Sequence, residues 1–337
     1  MINFASDNWA PAHPLVLKAV ADANSGPAPA YGNDEWTHNA QEAFKNVFGP
    51  EAHVFPVFTG TAANVLSVAS TARQNQYMLC ADTAHLHVDE AGASERFAGC
   101  KLFAVQGKNG KLRADAIEPH LERMQPHEGQ VGAVSITQCT EFGTTYHLAE
   151  TKAISELCRE RGLPLHVDGA RIANAAAFLG GSLNEAVQGA DVLSFGGTKN
   201  GLMGAEAVVF LNPELAEGFA FTRLQGMQLA SKMRFLSAQL LAYLDSDLWL
   251  KNARHANEMA QRLEEKIRDV ADLNLLYPVE ANILFAKMPK PAIDVLQKTY
   301  AFYELDAVNH VARFVTSWNT SKEDVDAFAE AIQKAVR

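Results

Sequence analysis

Two short stretches hold residue types suited to one chemistry. Leu165-His166-Val167-Asp168-Gly169-Ala170-Arg171 is an apolar run ending in a carboxylate, then Gly-Ala-Arg. Gly196-Gly197-Thr198-Lys199-Asn200-Gly201 sets one lysine among glycines directly after the apolar run Val192-Leu193-Ser194-Phe195. An acid at the end of one strand and an isolated lysine at the end of a nearby one is what a pyridoxal phosphate site requires. The amine forms a Schiff base with the cofactor's aldehyde, and the acid pairs with its pyridinium nitrogen. Taken alone, Asp168 would read as a loop aspartate capping the next helix, and Lys199 as a solvated surface amine. Together, at the carboxyl ends of strands where open α/β sheets bind ligands, they read as a cofactor pair. Burial after an apolar strand would lower the lysine's pKa and make it a better nucleophile.

Other segments supply the remaining functions of such a site. Phe58-Thr59-Gly60-Thr61-Ala62-Ala63-Asn64 follows an apolar run and opens a helical pattern, so the N–H groups of Gly60 and Thr61 are available to a phosphate. Thr61 could instead be only a helix cap. In Ala84-His85-Leu86-His87-Val88-Asp89-Glu90, His85 and Asp89 lie four apart and share a face if the stretch is helical. A histidine there could stack on the cofactor ring and exchange protons near neutral pH, with Asp89 orienting it; a satisfied surface pair is the alternative. Arg171 and Arg313, the latter inside the apolar run Val311-Ala312-Arg313-Phe314, suit bidentate recognition of a carboxylate. That carboxylate belongs either to a substrate or to a protein acid.

The elements that must position these residues follow an alternating pattern. Apolar runs at His53–Phe58, Tyr77–Cys80, Lys101–Val105, Gly132–Thr137, Leu165–Asp168, Val192–Phe195 and Ala207–Leu211 are predicted strands, separated by helical stretches such as Thr61–Ala72, Leu148–Arg161 and Leu183–Gln188. Alternating βα units predict an α/β fold with a largely parallel sheet. A long apolar helix is predicted over Leu229–Leu250, continued by an amphipathic one over Leu248–Val270. Short strands follow at Asn282–Lys287 and Ala312–Thr316, with a last helix starting at Thr320 and Glu323 closing a capping box. We therefore expect a large α/β domain over residues 1–240, its first 30 residues an arm, and a smaller α+β domain over 241–337.

Composition limits the partners. The chain has 337 residues, 48% hydrophobic and 20% charged, with a net charge of −10. The acidic balance argues against nucleic acid and against an anionic membrane surface. No apolar run approaches the roughly 20 residues of a membrane-spanning helix, and the first residues lack the pattern of a signal peptide. Cys80, Cys100, Cys139 and Cys158 are scattered without metal-binding spacing, which points to reduced thiols, a cytoplasmic location and no metal site.

Assembled, these residues resemble the pyridoxal-phosphate-dependent low-specificity L-threonine aldolases of the threonine aldolase/β-eliminating lyase family, within the fold-type-I aminotransferase superfamily. The resemblance spans the chain: Ala5-Ser6-Asp7, Ala30-Tyr31-Gly32-Asn33-Asp34, Gly60 to Asn64, Ala84-His85, His166 to Arg171, Gly196 to Gly201, Ala230-Ser231-Lys232-Met233-Arg234 and Val279-Glu280-Ala281-Asn282. It implies a large domain with a mostly parallel seven-stranded sheet, and retro-aldol cleavage of L-threonine, L-allo-threonine and related L-β-hydroxy-α-amino acids to glycine and an aldehyde. A phenylserine aldolase or a β-eliminating lyase of the same fold is the alternative. It further implies Lys199 as the Schiff-base lysine, Asp168 as the ring-nitrogen partner, His85 as the stacking histidine, and Gly60 and Thr61 as phosphate ligands. Ser6, Arg171 and Arg313 would hold the substrate carboxylate. Family members form homotetramers or dimers with shared sites, so Tyr31 and Arg234 would reach a neighbour's cofactor. One segment departs from the pattern: where many relatives carry a second active-site histidine, this chain reads Thr137-Gln138-Cys139-Thr140-Glu141, with Thr140 or Glu141 at that place.

Overall fold

The computed structural model describes residues 2–336 apart from Arg123, Met124 and Pro126. Seven strands form the main sheet, in the spatial order His53–Val57, Glu206–Phe210, Val192–Phe195, Leu165–Gly169, Gln130–Thr137, Gln76–Ala81, Lys101–Val105. Only Glu206–Phe210 runs against its neighbours; the other pairings are parallel. The central strands Leu165–Gly169 and Val192–Phe195 are buried along their whole length, as parallel strands covered on both faces must be. That is why they read as largely apolar runs, broken only by the buried polar residues His166, Asp168 and Ser194. Their register sets Asp168 opposite both Ser194 and Thr137, so the sheet itself brings the carboxylate strand beside the lysine strand.

The smaller sheet is antiparallel, in the order Tyr303–Asp306, Val311–Val315, Ile283–Lys287, Asn274–Leu275. The helix Leu248–Ile267 joins the two units: Leu248, Trp249 and Ala253 pack into the large core, and Met259, Ala260, Leu263 and Ile267 into the small one. The change of core thus falls within this helix rather than at residue 240. The arm also divides. Ile2–Asn3 pairs with Tyr300–Ala301, and Phe4 stacks on Phe328 with ring centroids 4.3 Å apart, inside the small-domain core.

Two helix boundaries differ from the sequence pattern. The apolar stretch from Leu229 is helical only over Arg234–Leu244 and is cut by a turn at Asp245–Asp247, where Asp247 adopts a left-handed conformation with φ 55°. Short polar side chains there compete with helical hydrogen bonding. The last helix, Lys322–Ala335, is capped by Ser321, whose hydroxyl accepts from the Asp324 N–H. Thr320, expected as the start, instead accepts from the Ser317 N–H.

Candidate active site

A cavity of about 300 Å³ opens at the carboxyl ends of the central strands. Six of the expected residues line it: Gly60, Thr61, His85, Asp168, Arg171 and Lys199. Asp168 does not cap a helix. Its Oδ1 accepts from the Ala170 N–H at 3.0 Å and its Oδ2 from Asn64 Nδ2 at 2.8 Å, both neutral donors. Behind it on the same strand, His166 is fully buried between Ser135 and Ser194, each at 2.9 Å from one ring nitrogen. Burial pushes its pKa down to about 4, so it is a neutral support.

Lys199 sits in the short turn Thr198–Asn200 that ends its strand loop. Arg171 and burial hold its ammonium below the usual lysine value, against the opposite pull of Asp7, Asp168 and Glu206. The loop is tight for a reason visible at Gly196: a Cβ there would run into the backbone of Ala170. Glu206, buried on the neighbouring strand, accepts from the Gly197 N–H at 2.6 Å, and burial raises its pKa to about 7. The sequence pattern, which begins this strand at Ala207, misses it; a lone charged residue between Ala205 and the apolar run Ala207–Leu211 is the signal that marks it.

At the phosphate end, the helix Gly60–Thr71 is capped by Thr59, not Thr61; the Thr59 hydroxyl accepts from the Ala62 N–H at 3.1 Å. Gly60 has open space where a side chain would stand, and the first N–H groups of a helix have no intrahelical partner. His85 begins a single helical turn, His85–Val88. The chain leaves that turn at Asp89, which is exposed, so the expected His85–Asp89 pairing does not form. Buried Glu90 takes its place, with Oε1 at 2.9 Å from His85 Nδ1. This contact, opposed by burial, raises the His85 pKa. Asn64 Nδ2 also donates to Glu90 Oε1 at 2.8 Å, which connects His85 to Asp168 through one amide.

The arginines differ. Arg171 lies on the cavity wall, but Asp7 fills its fork, with Nε to Oδ2 at 2.7 Å and Nη2 to Oδ1 at 3.0 Å. The carboxylate held by that fork is a protein acid, so the Nε–Nη2 edge of Arg171 is occupied, while the residue itself lines the cavity. Arg313 lies outside the cavity lining. Its Nη2 donates to the Ala5 carbonyl at 3.3 Å, it covers the Tyr303 ring, and its Nε is buried without a partner among the described residues. Ser6 caps the turn Asp7–Trp9, its hydroxyl accepting from the Asn8 N–H at 3.1 Å; Asn8 itself lines the cavity. Tyr31 and Arg234 also lie outside. Tyr31 is 57% exposed and its N–H meets the Ser231 carbonyl, while Arg234 donates to the Gly26 carbonyl.

Do these groups fit pyridoxal phosphate? A buried carboxylate with only neutral donors suits a cationic ring nitrogen, a side-chain-free helix start suits a phosphate, and a lysine kept below its usual pKa suits an aldehyde. The donor set fits.

A lysine and an aspartate on adjacent strand ends of a mostly parallel seven-stranded sheet, with a smaller antiparallel unit behind, define an α/β enzyme of fold type I. Within that class the chain belongs to the β-eliminating lyase family, whose pattern matches residues 3–290. It is 44% identical over 335 residues to the low-specificity L-threonine aldolase of Pseudomonas aeruginosa, covering 98% of this chain and 96% of that one. The Saccharomyces cerevisiae enzyme of the same name is 27% identical over 298 residues, 86% of this chain and 74% of that one. A solved threonine aldolase from Leishmania major superposes over 100% of both chains with a TM-score of 0.95 and 27% identity.

Proposed function

We propose that the chain cleaves L-threonine and related L-β-hydroxy-α-amino acids to glycine and an aldehyde, using pyridoxal phosphate. The observation that carries the reading is Lys199 and Asp168 together on one cavity wall, in a chain 44% identical to a threonine aldolase. When bound, the cofactor supplies an electron sink for the bond broken at Cα.

The chain's own residues supply the rest. Lys199 Nζ would hold the cofactor through its aldehyde. Asp168, held by Asn64 and the Ala170 N–H, keeps a proton on the ring nitrogen. Gly60 and Thr61 would hold the cofactor's phosphate, and His85, its Nδ1 fixed by Glu90, would stack on the ring. Arg171 on the cavity wall, with Ser6 and Arg313 beside the Asp7–Arg171 pair, would receive the substrate carboxylate. Fixing that carboxylate selects the Cα bond that breaks, and positioning of this kind is worth several kcal/mol.

The working form is a homotetramer or its dimer, in the cytoplasm. In support, Tyr31 stands exposed outside its own cavity, and Phe221 (74% exposed) and Met227 (82%) expose large apolar side chains. Among the described residues no helix is long and apolar enough to cross a membrane. The test is incubation of the cofactor-loaded protein with L-threonine. Glycine and acetaldehyde are expected; 2-oxobutyrate and ammonia instead would assign it to elimination.

A further inference from the structure

Retro-aldol cleavage needs a group that removes the β-hydroxyl proton, and the segment after strand Gln130–Thr137 contains a carboxylate with one oxygen uncommitted among the described residues. Glu141 is packed at the cavity wall. Its Oε1 accepts from the His85 N–H at 2.7 Å and from the Thr137 hydroxyl at 3.0 Å. Its Oε2 is buried and has no hydrogen-bond partner among the described residues. A buried acceptor left unmade costs on the order of 1–3 kcal/mol, more when charged, and an entering hydroxyl would remove that cost. Thr140, the other residue at this place in the sequence, is excluded by its contacts: it is fully buried and its hydroxyl is bound to Thr144 Oγ1 at 2.7 Å.

We propose that Glu141 is the catalytic base for the substrate's β-hydroxyl, with His85 beside it acting as a hydrogen-bond donor. The inference rests on the aldolase reading above. In the step, the hydroxyl proton moves to Glu141 Oε2 and the O–H electron pair becomes the second C–O bond of the aldehyde. The Cα–Cβ pair stays with Cα, which later takes a proton to give glycine. Glu141 passes from carboxylate to acid and returns its proton to solvent between turnovers.

The electrostatics agree with this division of labour. Burial first, then Asp168, raises the Glu141 pKa to about 7, near where a base works best. His85 is biased by Glu90 toward its protonated form. The other groups that feel Glu141 are the Arg171 guanidinium and three neutral ones, the Cys80 and Cys139 thiols, each pushed by burial to about 12, and the Tyr146 phenol, raised further still.

The test compares wild type with Glu141→Gln, both cofactor-loaded, across pH. In wild type, kcat/KM for L-threonine should rise through a midpoint of about 7 as Glu141 loses its proton. In Glu141→Gln it should fall roughly 10²–10⁴-fold and lose that limb. A second readout needs no cofactor: infrared difference spectra of the free chain should contain a carboxyl band that titrates in wild type and is absent from the variant. A loss below about tenfold with the limb retained, or no such band, overturns the proposal and leaves the aldolase reading intact. If the glutamine variant does not fold, Glu141→Asp should move the limb, and an unmoved limb overturns the proposal equally. A wild type that cleaves no β-hydroxy amino acid sinks both.

Discussion

Asp7 and Arg171 lie far apart in sequence and meet as a two-pronged pair, with Nε–Oδ2 at 2.7 Å and Nη2–Oδ1 at 3.0 Å. Asn282 adds a third donor to Asp7 at 3.0 Å, so residues of the arm, the large domain and the small-domain strand edge converge on one carboxylate. Asp7→Asn leaves Arg171 buried without its counter-charge, which should destabilise the fold by about 3–5 kcal/mol. Thermal unfolding checks this. Burial opposes ionisation of Asp7, but the Arg171 charge and hydrogen bond outweigh it and lower the pKa. The stabilisation is therefore present above the ordinary aspartate value of about 3.9 and lost as pH falls through the lower folded value. The Asn variant should lack that acid-side slope.

Glu90→Gln should lower the His85 pKa, because the hydrogen bond from Glu90 is the largest cause of its rise. Imidazole proton shifts followed by NMR across pH measure the change directly. The stabilisation His85 gains by this pairing is full below about 6.5 and fades as pH rises through its folded value. The variant should flatten that fade. An unmoved midpoint would show that Asp168, the second charge that favours His85's proton, suffices.

Lys199→Ala removes the cavity's amine. The purified variant, titrated with pyridoxal phosphate, should show only the absorbance of free cofactor, and aldehyde release from L-threonine should drop by at least roughly 10²–10⁴-fold, the range lost with a key acid–base group. A yellow variant spectrally identical to wild type would place the attachment elsewhere.

Gly196→Ala tests the close approach of two loops. The added methyl would strike the Ala170 backbone, so the lysine loop has to move away from the aspartate loop. We expect a stability loss of about 1–3 kcal/mol and weaker cofactor binding, read by titrating absorbance at fixed protein concentration.

The sequence made the centre of this molecule readable and the edges obscure. Strands such as Val192–Phe195 sit in the middle of a covered sheet, so every position is apolar or small and the run stands out. Asp168 and Lys199 end such runs, which makes them local signals. Asp89 faces the same way as His85 only if the helical turn continues past it, and the turn stops at Val88. Glu90 could be found only by knowing that stop. Asp7 was visible as a residue but not as the partner of Arg171, because nothing local joins them. The two-residue pairing of Ile2–Asn3 with Tyr300–Ala301 is too short to leave any pattern.

The place of Phe4 has a consequence for synthesis. Its ring stacks on Phe328, and its carbonyl accepts from the Val315 N–H at 2.9 Å, so this residue completes a core whose other walls are made long after it. At roughly 5–20 residues per second, that side chain waits on the order of tens of seconds for its neighbours. The core around Phe4 can close only once translation has delivered the helix Lys322–Ala335.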